Sequence, residues 1–261
     1  MISVALTIAG SDPSGGAGLQ ADLKTFHQHG VYGMSVVTLL TVQNTQSVDA
    51  VQLLEPAFVL QQLDAVLDDI PPAAIKTGAL GSAAMIESIA QRVVGVSCPL
   101  VVDPVMISKH GHSLIQDDAI DKLIHQLVPT AFLLTPNLYE ASAISGIEIT
   151  NKASLSDAAK GILELGANAV VIKAGANPAF GYDLFATNQG EEIFLVERIE
   201  TDNTHGTGCV FSAAITARLS NGDELRDAVA GARTYIDRAI RTNPNLGGGR
   251  GPVNHHAPVS C

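Results

Sequence analysis

Residues 2–24, ISVALTIAGSDPSGGAGLQADLK, open with a short apolar, β-branched run and continue through a glycine-rich turn into a segment of helical period. The apolar run covers residues 2–9, and a helix is predicted over residues 17–29. A buried strand, a turn and a helix in immediate succession form the first half of a βαβ unit. This order favours a parallel sheet that helices cover on both faces.

The same alternation continues along the chain. Further strands are predicted over residues 33–40, 100–103, 131–135 and 169–173, and helices over residues 56–69, 82–93, 117–127, 138–145 and 154–165, with two more after Gly206. Residues 182–187 and 192–197 flank Asn188-Gln189-Gly190 and predict an antiparallel hairpin late in the sheet. The predicted fold is a three-layer α/β/α sandwich with a mostly parallel central sheet, in a single domain of residues 1–261.

Composition excludes several classes of function. The formal net charge is −11 and no block of Lys or Arg is present, which argues against a nucleic-acid partner. Cys98, Cys209 and Cys261 lie far apart without a metal-ligand spacing, so neither a disulfide framework nor a zinc site is indicated. The first residues lack a basic segment and a long apolar run, so we expect a cytoplasmic protein without a signal peptide or membrane span.

The glycine-rich turn after the first strand could bind a ligand or could only reverse the chain. Its glycine spacing is not that of a dinucleotide-binding fingerprint, and no Gly-Lys-Ser/Thr follows, so it is not a P-loop either. Asp22 lies one turn into the following helix. From the pattern alone it is either a solvated carboxylate or a hydrogen-bond partner for a ring amine.

A second glycine-rich turn precedes a helix of small residues: Asn203-Thr204-His205-Gly206-Thr207-Gly208-Cys209. Free N–H groups and the positive end of the helix dipole favour an anion at such a start. The glycines could instead serve only close helix packing. A cysteine here could be a small buried residue, but a helix N-terminus predicts a lowered pKa for the Cys209 thiol.

Polar residues end several predicted strands. Asp103, Asn137, Glu140 and Lys173 each follow an apolar run. Because the carboxyl ends of parallel strands meet at one edge of a sheet, we expect these four side chains to converge. Two carboxylates beside a lysine are suited to Mg²⁺ and a polyphosphate.

Taken together, these segments resemble the hydroxymethylpyrimidine and phosphomethylpyrimidine kinases of thiamine biosynthesis, within the ribokinase-like superfamily. The resemblance runs over essentially the full length. Its most specific parts are AGSD (9–12), SGGAGLQADLK (14–24), VQNT (42–45), DPVM (103–106), TPNLYEA (135–141) and HGTGC (205–209).

The resemblance implies ATP-dependent phosphorylation of 4-amino-5-hydroxymethyl-2-methylpyrimidine to its monophosphate and then to its diphosphate. It implies that Gln43 and Asp22 hold the aminopyrimidine, with Gly10, Ala17 and Val105 nearby. It also implies a homodimer.

For the nucleotide, the resemblance implies that Asn137 and Lys173 face ATP and that Asp103 and Glu140 help to hold Mg²⁺. Residues 206–209 are then the anion hole for the transferred phosphate.

This sequence departs from its relatives at three places. Many ribokinase-like sugar kinases carry an aspartate base where this chain has Cys209, and Ala79 stands where a methionine is expected. His110 and His112 are either part of a lid or exposed loop residues. Two alternatives stay open: a pyridoxal or pyridoxine kinase, and a non-catalytic pyrimidine-binding protein.

Overall fold

The computed structural model describes residues 2–106 and 117–259, so Cys261, His110 and His112 lie outside the described residues. Within those ranges nine strands form one sheet. They are β1 (Val4–Ser11), β2 (Tyr32–Gln43), β3 (Val48–Leu53), β4 (Ala74–Thr77), β5 (Leu100–Val102), β6 (Leu133–Leu134), β7 (Ala169–Ile172), β8 (Tyr182–Thr187) and β9 (Gly190–Leu195). Eight α-helices accompany them in the same part of the chain: α1 (Gly18–Gln28), α2 (Pro56–Asp69), α3 (Ala83–Val93), α4 (Asp117–Lys122), α5 (Leu138–Ser145), α6 (Lys152–Glu164), α7 (Thr207–Ser220) and α8 (Leu225–Arg241).

Neighbouring strand residues face opposite layers of helices. In β5, Val102 packs into the core beneath helices α2 to α6, and Val101 packs into the core beneath α7 and α8. The same alternation separates Leu134 from Leu133 in β6. Strands buried on both faces explain why the apolar runs are continuous. The predicted three-layer α/β/α sandwich is confirmed.

The strand order places a crevice beside β1. The order is β3-β2-β1-β4-β5-β6-β7-β8-β9, with β1, β2 and β4 to β7 parallel and β3 and β8 antiparallel to their inner neighbours. The chain runs outward from β1 to β2 and then returns to β4 on the other side. Helix α1 packs on one face and α3 on the opposite face. Such a reversal opens a ligand crevice at the carboxyl ends of the strands.

Two strands were not predicted. β3 is an edge strand whose side chains are mostly exposed, so it lacks a strong apolar pattern. β4 is central and fully buried, but it contains Lys76, which interrupts the apolar run. Residues 31–36 supply Val31, Met34 and Val36 to the core.

Some elements differ in detail from the predictions. Helix α6 begins at Lys152 rather than residue 154, because the Asn151 side chain accepts hydrogen bonds from the first free backbone N–H groups. β9 begins at Gly190 rather than residue 192, which leaves a two-residue turn after Thr187. Helix α4 continues as a π-helical turn over Leu123–Leu127, within the predicted helix.

Candidate active site

A cavity of about 500 Å³ lies at the carboxyl ends of β1, β2 and β4. Gln43 is the last residue of β2, which runs three residues beyond the predicted end and so carries this side chain to the rim. Gly10 and Ala17 line the cavity from the first glycine-rich turn, and Val105 lines it from the segment after β5. The structure therefore places four of the five predicted pyrimidine-binding residues around one cavity.

Asp22 lies beneath this cavity and is absent from its wall. Its carboxylate is fully buried, with Oδ1 accepting a hydrogen bond from Lys76 Nζ at 2.6 Å and Oδ2 accepting one from Thr7 Oγ1 at 2.6 Å. Both oxygens are thus engaged inside the protein, which does not support the direct contact with the pyrimidine that the resemblance implied. Lys76 reaches the wall instead. Burial acts to lower the pKa of Lys76, but the Asp22 charge raises it above its usual range.

The four strand-end residues meet at the far side of the same cavity, as expected. Asp103 accepts hydrogen bonds from Lys173 Nζ at 2.9 Å and from Ser212 Oγ at 3.0 Å. Asn137 and Glu140 form a reciprocal cap at the start of α5: the Asn137 side chain accepts from the Glu140 N–H, and the Glu140 carboxylate accepts from the Asn137 N–H. The cap fixes both side chains at the cavity edge.

The two carboxyl groups differ in charge. Burial disfavours an ionised Asp103, but the positive charges of Lys173 and Lys76 lower its pKa below the usual range. Burial raises the pKa of Glu140 to about 7, and the Asp103 charge adds to this rise against the opposing effect of Lys173. The two carboxyl groups of the pocket therefore have pKa values shifted in opposite directions, downwards for Asp103 and upwards for Glu140.

The second glycine-rich turn lines the cavity next to Gln43. Helix α7 begins at Thr207, and Gly206 precedes it with φ +79°. A Cβ atom at Gly206 would overlap the backbone carbonyl of Gly16, so only glycine fits. A Cβ at Gly208 would lie 3.3 Å from Lys173 Nζ, which shows how closely the helix start approaches that charge. Free N–H groups of the first turn and a lysine thus converge where an anion can bind.

Comparison with known proteins agrees with this arrangement. A family model described as phosphomethylpyrimidine kinase matches residues 12–254. The chain belongs to the phosphomethylpyrimidine kinase family.

Individual members of the phosphomethylpyrimidine kinase family are similar to this chain over nearly its whole length. The hydroxymethylpyrimidine/phosphomethylpyrimidine kinase of Staphylococcus aureus strain MSSA476 is 45% identical over 97% of this chain and 94% of its own length. The crystal structure of phosphomethylpyrimidine kinase from Clostridium difficile 630 is 41% identical, with a TM-score of 0.83 over 92% of this chain and 100% of that one. An ADP complex of Bacillus subtilis pyridoxal kinase is 38% identical, with a TM-score of 0.90 over 98% of both chains.

In this phosphomethylpyrimidine kinase family member, the pKa of Cys209 differs from its prediction. Burial raises the pKa of its thiol to about 11, although the nearby charge of Lys76 and the Gly18 N–H act to lower it. The lowered pKa expected at a helix N-terminus is therefore wrong. Removal of the thiolate from water is the largest cause of the rise, and the negative charges of Asp22 and Asp103 add to it.

Cys209 is accordingly expected to react slowly with iodoacetamide at pH 8. With a pKa of about 11, its thiolate fraction is roughly a hundredfold below that of an unperturbed cysteine. Peptide mass spectrometry would follow the alkylation of Cys209, with free cysteine in the same tube as the reference. Alkylation of Cys209 at the rate of free cysteine would contradict the raised pKa of the thiol.

A second cavity adjoins the first. Its volume is about 790 Å³, and it shares Lys173, Ala176, Thr204 and Thr207 with the first cavity. Arg233 lies in its wall, where it donates to Asp183 and packs over the Phe211 ring. The two cavities therefore meet at a lysine and at the start of helix α7.

The carboxylates fit a magnesium ion as one or two ligands. No cluster of three or more His, Cys, Asp or Glu side chains with metal-binding geometry occurs within residues 2–106 and 117–259. Mg²⁺ commonly takes one or two protein carboxylates and completes its shell with phosphates and water. The raised pKa of Glu140 marks a carboxyl group that a cation would stabilise in its charged form.

Asp12 and His205 are site residues that the sequence reasoning did not single out. The buried Asp12 carboxylate accepts from His205 Nε2 at 2.7 Å, from Ser14 Oγ at 2.7 Å and from the Ala17 N–H at 2.8 Å. Although burial opposes the charge, the hydrogen bonds from His205 and Ser14 lower the pKa of Asp12 to about 2. The Asp12 carboxylate therefore joins the two glycine-rich turns.

Within the described residues, no helix is long and apolar enough to cross a membrane.

Proposed function

We propose that this chain transfers the γ-phosphoryl group of ATP to the hydroxymethyl oxygen of 4-amino-5-hydroxymethyl-2-methylpyrimidine, and then a second phosphoryl group to the resulting monophosphate. One observation carries the proposal: Gln43 and the helix start at residues 206–209 line the same cavity of about 500 Å³. One small ring can therefore contact both. The kinase names of the relatives agree with this reading.

On the acceptor side, Gln43 is the ring-binding residue. Its amide can both donate and accept, which matches a ring nitrogen beside an amine. Gly10, Ala17 and Val105 border the ring where small side chains leave room for it. Asp22 acts indirectly, since it keeps Lys76 charged at the cavity wall.

On the nucleotide side, ATP occupies the second cavity with its phosphates at the junction. Lys173 lies at that junction, and Asn137 pairs with it and lines the first cavity. The pyridoxal kinase with a TM-score of 0.90 was solved with ADP. Asp103 and Glu140 would hold Mg²⁺, which when bound neutralises phosphate charge.

The first transfer forms a bond between the hydroxymethyl oxygen and the γ-phosphorus, while the bond from that phosphorus to the β-phosphate oxygen breaks. ADP leaves, and the hydroxyl proton passes to water. Positioning and charge stabilisation supply most of the catalysis in such reactions. The N–H groups at the start of α7 and the Lys173 ammonium face the phosphoryl oxygens. The charge of Lys76, close to Cys209, favours the anionic acceptor of the second transfer.

A neutral Cys209 suits an enzyme that must phosphorylate both an alcohol and a phosphomonoester. In the second step the nucleophile is already an anion, and a fixed carboxylate beside it would repel it. We expect Cys209→Asp to lower kcat/KM for the monophosphate at least about fivefold more than for the alcohol, because one added charge at close range costs on the order of 1–4 kcal/mol. Rates measured separately with the two acceptors test this, with Cys209→Ser as the uncharged control. An equal loss in both steps would contradict it.

The direct test of the proposed function is turnover with ATP and Mg²⁺. Hydroxymethylpyrimidine and pyridoxal are supplied in parallel, and the products are resolved by ³¹P NMR. We expect the pyrimidine monophosphate and then the diphosphate, with a lower kcat/KM for pyridoxal. Preferred turnover of pyridoxal would instead identify a pyridoxal kinase, which the TM-score of 0.90 to such an enzyme makes the second candidate. Binding of the pyrimidine without turnover would identify a binding protein.

Assembly and location complete the proposal. We assign a homodimer, as the resemblance implies, and a cytoplasmic location, as the composition and the first residues predict, with the two small molecules as partners. Light scattering at the protein concentration of the kinetic assays measures the molar mass, and the mass of a monomer would contradict the dimer.

A further inference from the structure

The side-chain amide of Gln43 lies between two polar neighbours in the cavity wall. Thr41 Oγ1 is 3.3 Å from Gln43 Oε1, and His205 Nε2 is 3.4 Å from Gln43 Nε2. A half-turn of the amide about its last bond exchanges its oxygen and nitrogen with little movement of other atoms. The hydrogens on Thr41 and His205 therefore decide which amide atom faces which neighbour.

The Thr41 hydroxyl has its hydrogen directed elsewhere. Thr41 Oγ1 donates to the backbone carbonyl of Ser11 at 2.9 Å, a shorter contact than the one to Gln43. A hydroxyl has one hydrogen and two lone pairs, so Thr41 offers Gln43 an acceptor. The amide atom that completes a hydrogen bond with Thr41 is then the NH₂ group.

The His205 ring nitrogen has the opposite requirement. His205 Nε2 lies 2.7 Å from Asp12 Oδ2, and hydrogen bonds from His205 and Ser14 lower the pKa of Asp12 to about 2 against the effect of burial. A carboxylate only accepts, so the hydrogen lies on Nε2. A protonated Nε2 cannot accept from an NH₂ group, whereas it can share its hydrogen with an amide oxygen.

The two neighbours thus select one orientation independently. We propose that Thr41 and the Asp12–His205 pair are positioning residues that hold the Gln43 amide with its oxygen towards His205 and its NH₂ group towards Thr41, which selects an acceptor ring with an amine beside its hydroxymethyl group. The chain of contacts runs through Asp12, His205, Gln43, Thr41 and Ser11.

The selected orientation matches the chemistry of the acceptor; this step rests on the proposed function. His205 directly precedes the anion hole at residues 206–209, so the amide oxygen lies at that end of the ring site. In the aminopyrimidine, the amine is attached beside the hydroxymethyl carbon, and the ring nitrogen lies one atom farther away. With the hydroxymethyl group at the anion hole, the amine donates to the Gln43 oxygen and the ring nitrogen accepts from the Gln43 NH₂ group.

The reverse orientation would oppose this substrate and suit a different one. An NH₂ group beside His205 would face the substrate amine, two donors against each other. Pyridoxal carries an aldehyde oxygen beside its hydroxymethyl group, which only accepts, so the proposed orientation disfavours it. Discrimination between the two alcohols then arises from residues that contact Gln43 rather than from Gln43 alone.

Neutron diffraction from a crystal of the deuterium-exchanged protein, without substrate, tests the hydrogen positions directly. We expect deuterium on His205 Nε2 and the two deuterium atoms of the Gln43 amide on the Thr41 side. A bare Nε2, or amide deuterium directed at His205, would overturn the proposal. This measurement needs no turnover, so it decides the inference even if the proposed function fails.

Kinetics with two Thr41 variants test the consequence for selectivity. Thr41→Val removes the acceptor for the NH₂ group, and Thr41→Ser is the matched control that keeps it. We expect the ratio of kcat/KM for hydroxymethylpyrimidine to that for pyridoxal to fall about tenfold in Thr41→Val, the effect of one hydrogen bond, and to stay near the wild-type value in Thr41→Ser.

The KM for ATP should be unchanged in both variants, which separates positioning of the ring from a general disturbance. An unchanged selectivity ratio in Thr41→Val would overturn the proposal while leaving the kinase assignment intact. A wild-type protein that phosphorylates neither alcohol would remove the kinase assignment, and the neutron map would then decide the amide orientation alone.

Discussion

Gly206→Ala is expected to lower kcat about 100- to 1,000-fold, because the helix start that forms the anion hole cannot keep its place. Gly206 has φ +79°, and a Cβ atom there would overlap the Gly16 carbonyl and lie 3.3 Å from the Ala17 Cα atom. These are backbone atoms of the other glycine-rich turn, which cannot rotate away. Residues 206–209 must therefore shift and carry their N–H groups off the phosphate. Steady-state kinetics with hydroxymethylpyrimidine measures the loss.

Gly222→Ala provides the matched control for Gly206→Ala. Gly222 has φ +92°, similar to Gly206, but a Cβ atom there meets nothing within 4 Å. Both variants introduce the same backbone strain, of order 1–3 kcal/mol, so both should lose stability in denaturant. Only Gly206→Ala should lose catalysis. A comparable kcat for the two variants would show that the helix start does not form the anion hole.

Asp22→Ala is expected to destabilise the protein by about 3–5 kcal/mol, since it leaves the Lys76 charge buried without its partner. Both side chains are 0% exposed and lie 2.6 Å apart. Because the folded-state pKa of Lys76 is raised, its contribution is fully present below its ordinary pKa of 10.5 and is lost as the pH rises through the folded value. Burial acts to raise the pKa of Asp22 against the effect of the Lys76 charge, so urea unfolding is compared at pH 8 to 9, where the full difference from wild type is expected.

Two further variants are controls for the Asp22→Ala measurement. Asp64→Ala removes the partner of Arg92 in a pair whose side chains are 50% and 35% exposed, and it should cost below about 1 kcal/mol. The double variant Asp22→Leu/Lys76→Met replaces both buried charges and should recover much of the stability while losing activity on the monophosphate. A loss from Asp22→Ala as small as that from Asp64→Ala would contradict a buried ion pair beneath the cavity.

The fold was largely predictable because most strands are buried on both faces. Burial on both faces produces continuous apolar runs, such as residues 169–173, which the sequence shows directly. β4 escaped prediction for a physical reason: Lys76 breaks its pattern, and the carboxylate that neutralises it is 54 residues away in the chain. A local pattern cannot contain the partner that makes a buried charge tolerable.

The site was predictable where chemistry follows from position along a strand or helix. Asp103, Glu140 and Lys173 were found because strand ends meet at one edge of a parallel sheet. Asp12 and His205 were missed because their pairing joins loops 193 residues apart. The pKa of Cys209 was predicted with the wrong sign, since the helix terminus is visible in sequence and the depth of burial is not.

A crystal structure with hydroxymethylpyrimidine and a non-hydrolysable ATP analogue is the most direct test of the central claim, that one small molecule spans Gln43 and the anion hole. The account predicts the ring edge on the Gln43 amide, the hydroxymethyl oxygen within hydrogen-bond distance of the N–H groups of residues 206–209, and the γ-phosphate beside Lys173. A pyrimidine bound away from Gln43, or a γ-phosphate out of reach of the hydroxymethyl oxygen, would contradict it.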